Sequence, residues 1–311
     1  MKTGPSRTMR DVPPRRSRTA IRTRGITKLF GAVHAVDDLD LTVRRGEVFG
    51  YLGPNGAGKT TTIRMLLDFI RPTHGEISIL GTHPRNPEVR RRIGYLPGEL
   101  SLDPRHTARD VFEFYGALRG GVDETFVDSL AERFDLDVSR RVGELSTGNK
   151  RKIGVIQAFI HRPELLVLDE PTSGLDPLLQ HEFQQLLREA AHDGATVFLS
   201  SHILHEVEDL ADRVAILRLG RLVEVASVAD LRRRARQRID LYIDGKADAG
   251  SFAHIPEVVE ATSTAGVVHL LVEGSVERVL RTAARQHAHR IVSPEADLEE
   301  IFLAFYRESD T

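Results

Sequence analysis

Cysteine is absent from the 311 residues. Its absence excludes a disulfide framework and a thiolate metal site. Long apolar runs are absent too. No stretch approaches the ~18 consecutive apolar residues that a membrane-spanning helix needs, so any membrane connection is expected to run through another chain. Charge of one sign is not in excess: the formal net charge is −2, and nothing in that total points to nucleic acid as a partner. The first residues lack the apolar core of a secretory signal, which makes the cytoplasm the expected compartment. What is present is an ordinary globular composition, 41% hydrophobic and 28% charged. The length predicts one full domain and a smaller one.

Residues 1–19 are rich in Arg, Ser, Thr and Pro, with Pro13-Pro14 followed by Arg15-Arg16. They read as a disordered basic tail, suited either to anionic lipid headgroups or simply to solvent. From Ala20 to Ala235 strand and helix patterns alternate. Val48–Leu52, Leu165–Leu168 and Thr196–Ser200 are short, continuously apolar runs, the pattern of strands buried on both faces of a parallel sheet. A helix is expected over Lys59–Phe69. Two more, Ala108–Arg119 and Asp123–Phe134, fall between the strand-bearing halves as an inserted helical subdomain would. The run Arg232-Arg233-Arg234-Ala235-Arg236 marks a boundary. Beyond it Ile239–Ile243 and Val267–Val272 read as strands, and Val276–Gln286 and Ala296–Arg307 as helices, with no recognisable site. No internal repeat is present. The organisation expected is a tail (1–19), a main α/β domain (20–235) and a small C-terminal α/β domain (236–311).

Gly53-Pro54-Asn55-Gly56-Ala57-Gly58-Lys59-Thr60 matches the phosphate-binding pattern G-x-x-x-x-G-K-[ST] in full, and it lies between a strand and a helix. Glycines let backbone N–H groups converge on phosphate oxygens, and the helix N-terminus adds partial positive charge. Lys59 would reach the β- and γ-phosphates of ATP, and the Thr60 hydroxyl would ligate Mg²⁺. Thr61 completes the candidate nucleotide-binding stretch. Leu165-Leu166-Val167-Leu168-Asp169-Glu170 places Asp169 at the end of a buried strand, beside the phosphate loop. Asp169 would hold Mg²⁺ through water, and Glu170 would accept the proton of the attacking water. Asp-Glu after an apolar strand is usually a plain strand end; the phosphate loop turns it into a candidate site.

Leu145-Ser146-Thr147-Gly148-Asn149 precedes that second strand, Ser173-Gly174-Leu175-Asp176 follows it, and His202 comes just after the third. In this order the motifs resemble the nucleotide-binding domains of ABC transporters: Walker A, signature, Walker B, D-loop and switch histidine. The resemblance covers about Ile21 to Ala226. It implies a P-loop NTPase fold, α/β with an inserted helical subdomain, binding ATP and Mg²⁺. Ser146 and Gly148 resemble the signature groups that contact the γ-phosphate bound by the opposite subunit, although Leu-Ser-x-Gly alone is more often a helix N-cap. His202 is similar to the switch histidine at the γ-phosphate. Asp176 resembles the D-loop aspartate at the dimer interface, and it also suits an N-cap with Pro177 at the first helical position. Phe30 sits where the family places an adenine-stacking aromatic; core packing is the alternative.

The sequence departs from the family where a Gln is usual after Ile93–Pro97. Gly98 stands there, with Glu99 next. Thr147 and Asn149 replace the usual Gly and Gln of the signature. Such variants are typical of bacterial drug and antibiotic exporters, and Leu298–Leu303 resembles the ending of that subfamily. The resemblance therefore implies an exporter ATPase at the cytoplasmic face of the membrane. Two copies would sandwich ATP head to tail and drive a separately encoded transmembrane permease. An importer subunit is the nearest rival. A soluble ATPase of translation would carry two cassettes, and a DNA-repair ATPase a long coiled coil; neither pattern is here.

Overall fold

The computed structural model describes residues 18–234, 236–243 and 248–293. Residues 1–17 of the expected tail, Ala235, and the expected helix Ala296–Arg307 with the Leu298–Leu303 ending lie outside the described residues.

The centre of the fold is a six-stranded sheet in the order β5-β6-β7-β3-β8-β9, built from β3 (Val48–Leu52), β5 (Ile93–Leu96), β6 (Leu165–Asp169), β7 (Thr196–Ser201), β8 (Arg213–Arg218) and β9 (Arg221–Ser227). All neighbours pair in parallel except β8 and β9, which form a hairpin. The apolar runs are strands buried on both faces. Phe49, Tyr51, Leu165, Val167 and Phe198 enter one core cluster, whereas Val48, Leu52, Leu166, Leu168, Val197 and Leu199 enter another. Alternate side chains of a strand point to opposite faces, so each run feeds two cores.

The first core is closed by an antiparallel sheet in the order β2-β1-β4, formed by β1 (Thr19–Phe30), β2 (Val33–Arg44) and β4 (His74–Ile79). Helix α1 (Lys59–Leu66) contributes Ile63, Met65 and Leu66 to the same cluster. It ends before the expected Phe69 because Asp68 turns left-handed at φ 57°. The short α2 (Pro87–Arg90) follows β4. The second core is closed by α3 (Ala108–Ala117), α4 (Glu124–Arg133), α5 (Thr147–Phe159) and α6 (Pro177–His192). Sequence chemistry starts these helices. Thr107 and Asp110 form a reciprocal capping box at α3, and Asp123 caps α4. Gly120 and Gly121, at φ 94° and 110°, separate the two.

After α7 (His205–Glu208) and α8 (Val228–Arg234), the chain enters a four-stranded antiparallel sheet in the order β11-β12-β10-β13. Its strands are β10 (Arg236–Ile243), β11 (Val258–Thr264), β12 (Val267–Glu273) and β13 (Ala288–Val292). With α9 (Gly250–Ala253) and α10 (Glu277–Arg285) it encloses a third cluster, which includes Ile239, Leu241, Phe252, Val268, Leu270 and Val279. Among the described residues no helix is long and apolar enough to cross a membrane.

Candidate active site

The parallel strands β3, β5, β6 and β7 all run the same way, so the loops after them share the carboxyl edge of the sheet, where ligands of α/β folds bind. Those loops carry the phosphate loop, Gly98, Glu170 and His202.

The phosphate loop passes from β3 into α1 with Gly58 left-handed at φ 105°. A Cβ at Gly58 would meet the Ala35 carbonyl at 2.4 Å, so only glycine lets the loop approach this closely. Lys59 is 6% exposed. Its Nζ donates to the Gly53 carbonyl at 2.6 Å and the Pro54 carbonyl at 3.3 Å. The loop and Glu170 border an open cavity of about 220 Å³, lined by Pro54, Asn55, Gly56, Gly58, Lys59, Thr60, Thr61 and Ala35.

Asp169 ends β6 and is 1% exposed. Thr60 Oγ1 donates to its Oδ2 at 2.9 Å, and Ser200 Oγ donates to its Oδ1 at 2.5 Å. The second contact follows from register, because Asp169 pairs with Ser200 across β6 and β7. A buried carboxylate beside a hydroxyl is the hard oxygen donor set that Mg²⁺ selects. Tyr95 borders this carboxylate, and its phenol is pushed up to about 12 by burial and by the negative charge of Asp169.

Glu170 turns left-handed, at φ 48°. That conformation costs a non-glycine residue roughly 1–3 kcal/mol and concentrates at functional sites. The turn aims the carboxylate back at the phosphate loop. His202 Nδ1 donates to Glu170 Oε2 at 2.7 Å, and Lys59 Nζ lies 3.2 Å from Oε1. Oε1 is buried and has no hydrogen-bond partner, so the Lys59 contact is charge against charge. That oxygen retains accepting capacity facing the cavity.

Other sequence-predicted residues lie outside the cavity lining. Ser146 is exposed and caps α5, accepting from Asn149 N at 3.3 Å. Gly148 faces the Gly174 carbonyl, which a Cβ would meet at 3.4 Å, so the signature and the D-loop are neighbours. Asp176 caps α6, accepting from Leu179 N at 3.0 Å with Pro177 at the first helical position. Phe30 is 51% exposed at the end of β1, with Lys28 Nζ 5.1 Å from its ring centre. It is therefore a surface aromatic and not a core one. Sequence reasoning missed Arg151 and Ser200. A polar residue ending an apolar strand that pairs with β6 is the signal that finds Ser200; Arg151 carried no signal of its own in a basic stretch.

A glycine-rich loop running into a helix that opens with Lys and Thr, met by Asp and Glu from the end of a neighbouring strand, defines a P-loop ATPase. A family model described as ABC transporter matches residues 36–173. The chain is 38% identical to the bacitracin transport ATP-binding protein BcrA of Bacillus licheniformis over 236 residues, covering 74% of this chain and 77% of that one. It is 32% identical to the BcrA of Enterococcus faecalis, with 91% and 94% covered. The Nod factor export ATP-binding protein I of Mesorhizobium japonicum is 41% identical over 68% of this chain and 64% of that one. Among solved structures, an ATP-binding subunit of an ABC transporter superposes with a TM-score of 0.65 at 30% identity, covering 69% of this chain and 92% of that one. The chain belongs to the ABC transporter ATP-binding proteins and is an ABC-type ATPase.

Proposed function

We propose that this chain powers export of a drug, antibiotic or similar small molecule through a separate transmembrane subunit, from the cytoplasmic face of the membrane. The relative named for Nod factor export supports the direction, and the relative named for bacitracin transport supports an antibiotic as the class of cargo. The observation that carries the mechanism is the convergence of Lys59, Thr60, Asp169, Glu170 and His202 at one sheet edge, with Ser146 exposed and outside the cavity lining.

Lys59 and the backbone of Gly53–Thr61 hold the phosphates of ATP. Thr60 and Asp169 would hold Mg²⁺, which would supply charge neutralisation at the phosphates. Glu170 takes the proton of the attacking water on Oε1, the carboxylate oxygen that accepts no hydrogen bond, and His202 orients that carboxylate and reaches the γ-phosphate. Phe30 stacks on the adenine. Ser146, Gly148 and Asp176 serve the nucleotide of a second copy. Two chains then close head to tail around two ATP molecules, an isologous contact. Closure by ATP and release by hydrolysis drive the permease. The described residues 236–243 and 248–293 form a separate C-terminal unit with its own core.

Glu170→Gln tests the core of this reading. Its amide cannot accept a proton, so turnover falls on the order of 10²–10⁴-fold while ATP binding persists, and the purified variant elutes as a dimer with ATP. Near-normal turnover sinks the assignment. Export itself is read as ATP-dependent uptake into inside-out vesicles holding the chain and its permease; uptake into right-side-out vesicles instead makes the system an importer.

A further inference from the structure

Arg151 lies one turn into α5, is 5% exposed, and points its guanidinium at two loops of the active-site edge. All its hydrogen-bond acceptors given by the structure are backbone carbonyls. Nη1 donates to Pro97 at 2.6 Å and Gly98 at 3.1 Å. Nη2 donates to Asp169 at 3.2 Å and Glu170 at 2.5 Å, and Nε to Pro171 at 3.4 Å. Burial works against this cation; the charges of Asp169 and Glu170 work for it.

The carbonyls of three successive residues, Asp169 to Pro171, converge on one group. In an extended strand successive carbonyls point to opposite sides. They converge here because the chain leaves β6 through the left-handed turn at Glu170. The planar fork of five N–H donors matches such a cup, whereas a lysine ammonium has three donors on one point. The turn that the guanidinium grips is the one that carries the Glu170 carboxylate to His202 and toward Lys59. The same guanidinium holds the Pro97-Gly98 loop, and its helix begins at the Ser146 cap.

We propose that Arg151 is a positioning residue for hydrolysis: it clamps the backbone of Asp169–Pro171 in the turn that aims Glu170, and it fastens that turn to the Gly98 loop and to α5. This rests on Glu170 as the general base. The hydrogen bonds of Arg151 reach the nucleotide cavity lining only at Glu170, and they reach Asp169 at the backbone and not at the carboxylate, so the clamp acts on the rate and not on nucleotide affinity. It also gives one rigid joint to the end of α5, the Gly98 loop and the base, so movement at any one of them is felt at the others.

The test uses the full chain with Arg151→Met and Arg151→Lys, each alone and combined with Glu170→Gln. Nucleotide affinity is measured with a fluorescent ATP analogue, steady-state kcat and KM by phosphate release, and residual hydrolysis with radiolabelled ATP. Arg151→Met is expected to leave affinity and KM close to the parent and to lower kcat on the order of 10- to 100-fold, the scale of a displaced catalytic group. Arg151→Lys recovers part of the loss. With Glu170→Gln already present, Arg151→Met removes nothing further, because groups acting as one unit are not additive. A parental kcat in Arg151→Met overturns the proposal, as does an equal fold-loss with and without Glu170. If Arg151→Met loses its cooperative melt, Arg151→Lys decides: parental kcat there overturns the clamp. Near-normal turnover in Glu170→Gln alone is a different result and removes the general-base reading beneath it.

Discussion

At Gly98 the chain runs beside a buried charge, since a Cβ there would lie 3.4 Å from Asp169 Oδ2. Glu99, the next residue, is exposed. The resemblance to ABC transporters places a Gln at position 98, and Glu99 is the nearest carboxylate that could stand in for it as an oxygen ligand for Mg²⁺. The two positions differ in what they face. Position 98 faces the carboxylate and has no side chain, and an exposed Glu99 gains little by leaving water. Glu99→Ala is expected to leave the Mg²⁺ concentration for half-maximal ATPase within about twofold of the parent, as for surface substitutions away from structural features. A Mg²⁺ titration checks this, and a several-fold higher requirement puts Glu99 at the metal. Asp169 is the opposite case, buried and held at both oxygens. Thr60 and Ser200 fix those oxygens in advance, so as the proposed Mg²⁺ ligand Asp169 would lose less freedom on binding.

The N-terminus of α5 is an element with two duties that one substitution can separate. Ser146 Oγ accepts from Asn149 N, a cap whose loss to Ala costs about 1 kcal/mol. Asn caps as well as Ser, but its amide replaces the hydroxyl proposed to meet the partner's γ-phosphate. Ser146→Asn is expected to keep the melting temperature and to lose ATPase activity and ATP-induced dimer. Retained activity leaves Ser146 as a cap alone, measured by calorimetry beside phosphate release. The starts of elements were the most legible part of the sequence: Lys59, Ala108 and the Thr196 strand begin where read, and Asp123 is the cap of the helix expected there. These places carry caps, glycines and apolar runs. The long β1 and β2 went unread because β1 mixes Arg and Lys into its alternation and the pair is irregular, with register shifts along it. In the C-terminal sheet β10 and β12 were legible from apolar residues, whereas β11 and β13 bury almost nothing and gave no pattern. At the site, motif residues were legible and Arg151 was not, because its partners are carbonyls, which every sequence has.

For the whole molecule, burial sets an acid limit and the cores set the divisions. His161 follows α5, with Nε2 3.2 Å from the Ile93 carbonyl and Nδ1 buried without a partner. Burial, aided by Arg119, pushes it down to about 4. The unfolded chain takes up that proton near pH 6.5, so stability is full above that value and declines as pH falls toward 4. The decline is on the order of 2–3 kcal/mol. Urea midpoints for His161→Gln are expected to fall less steeply than the parent's between pH 6.5 and 4; parallel profiles refute this. Glu164, held at about 2 by Arg92 and then Arg45, adds loss only below its unfolded range near 4. The last prediction concerns the boundary. The third core cluster draws only on residues from Ile239 onward, whereas Val228 and Leu231 of α8 belong to the core under the helices. A cut at Arg238 would fall inside β10, so the chain should be ended after Arg234, which α8 still covers. Removing the C-terminal sheet then takes away a complete core and opens neither of the other two. The shortened chain is expected to melt cooperatively, to bind ATP as the parent does, and to show a smaller urea m-value because less surface is exposed on unfolding. Loss of ATP binding or of a cooperative transition makes the three cores one folding unit and moves the boundary.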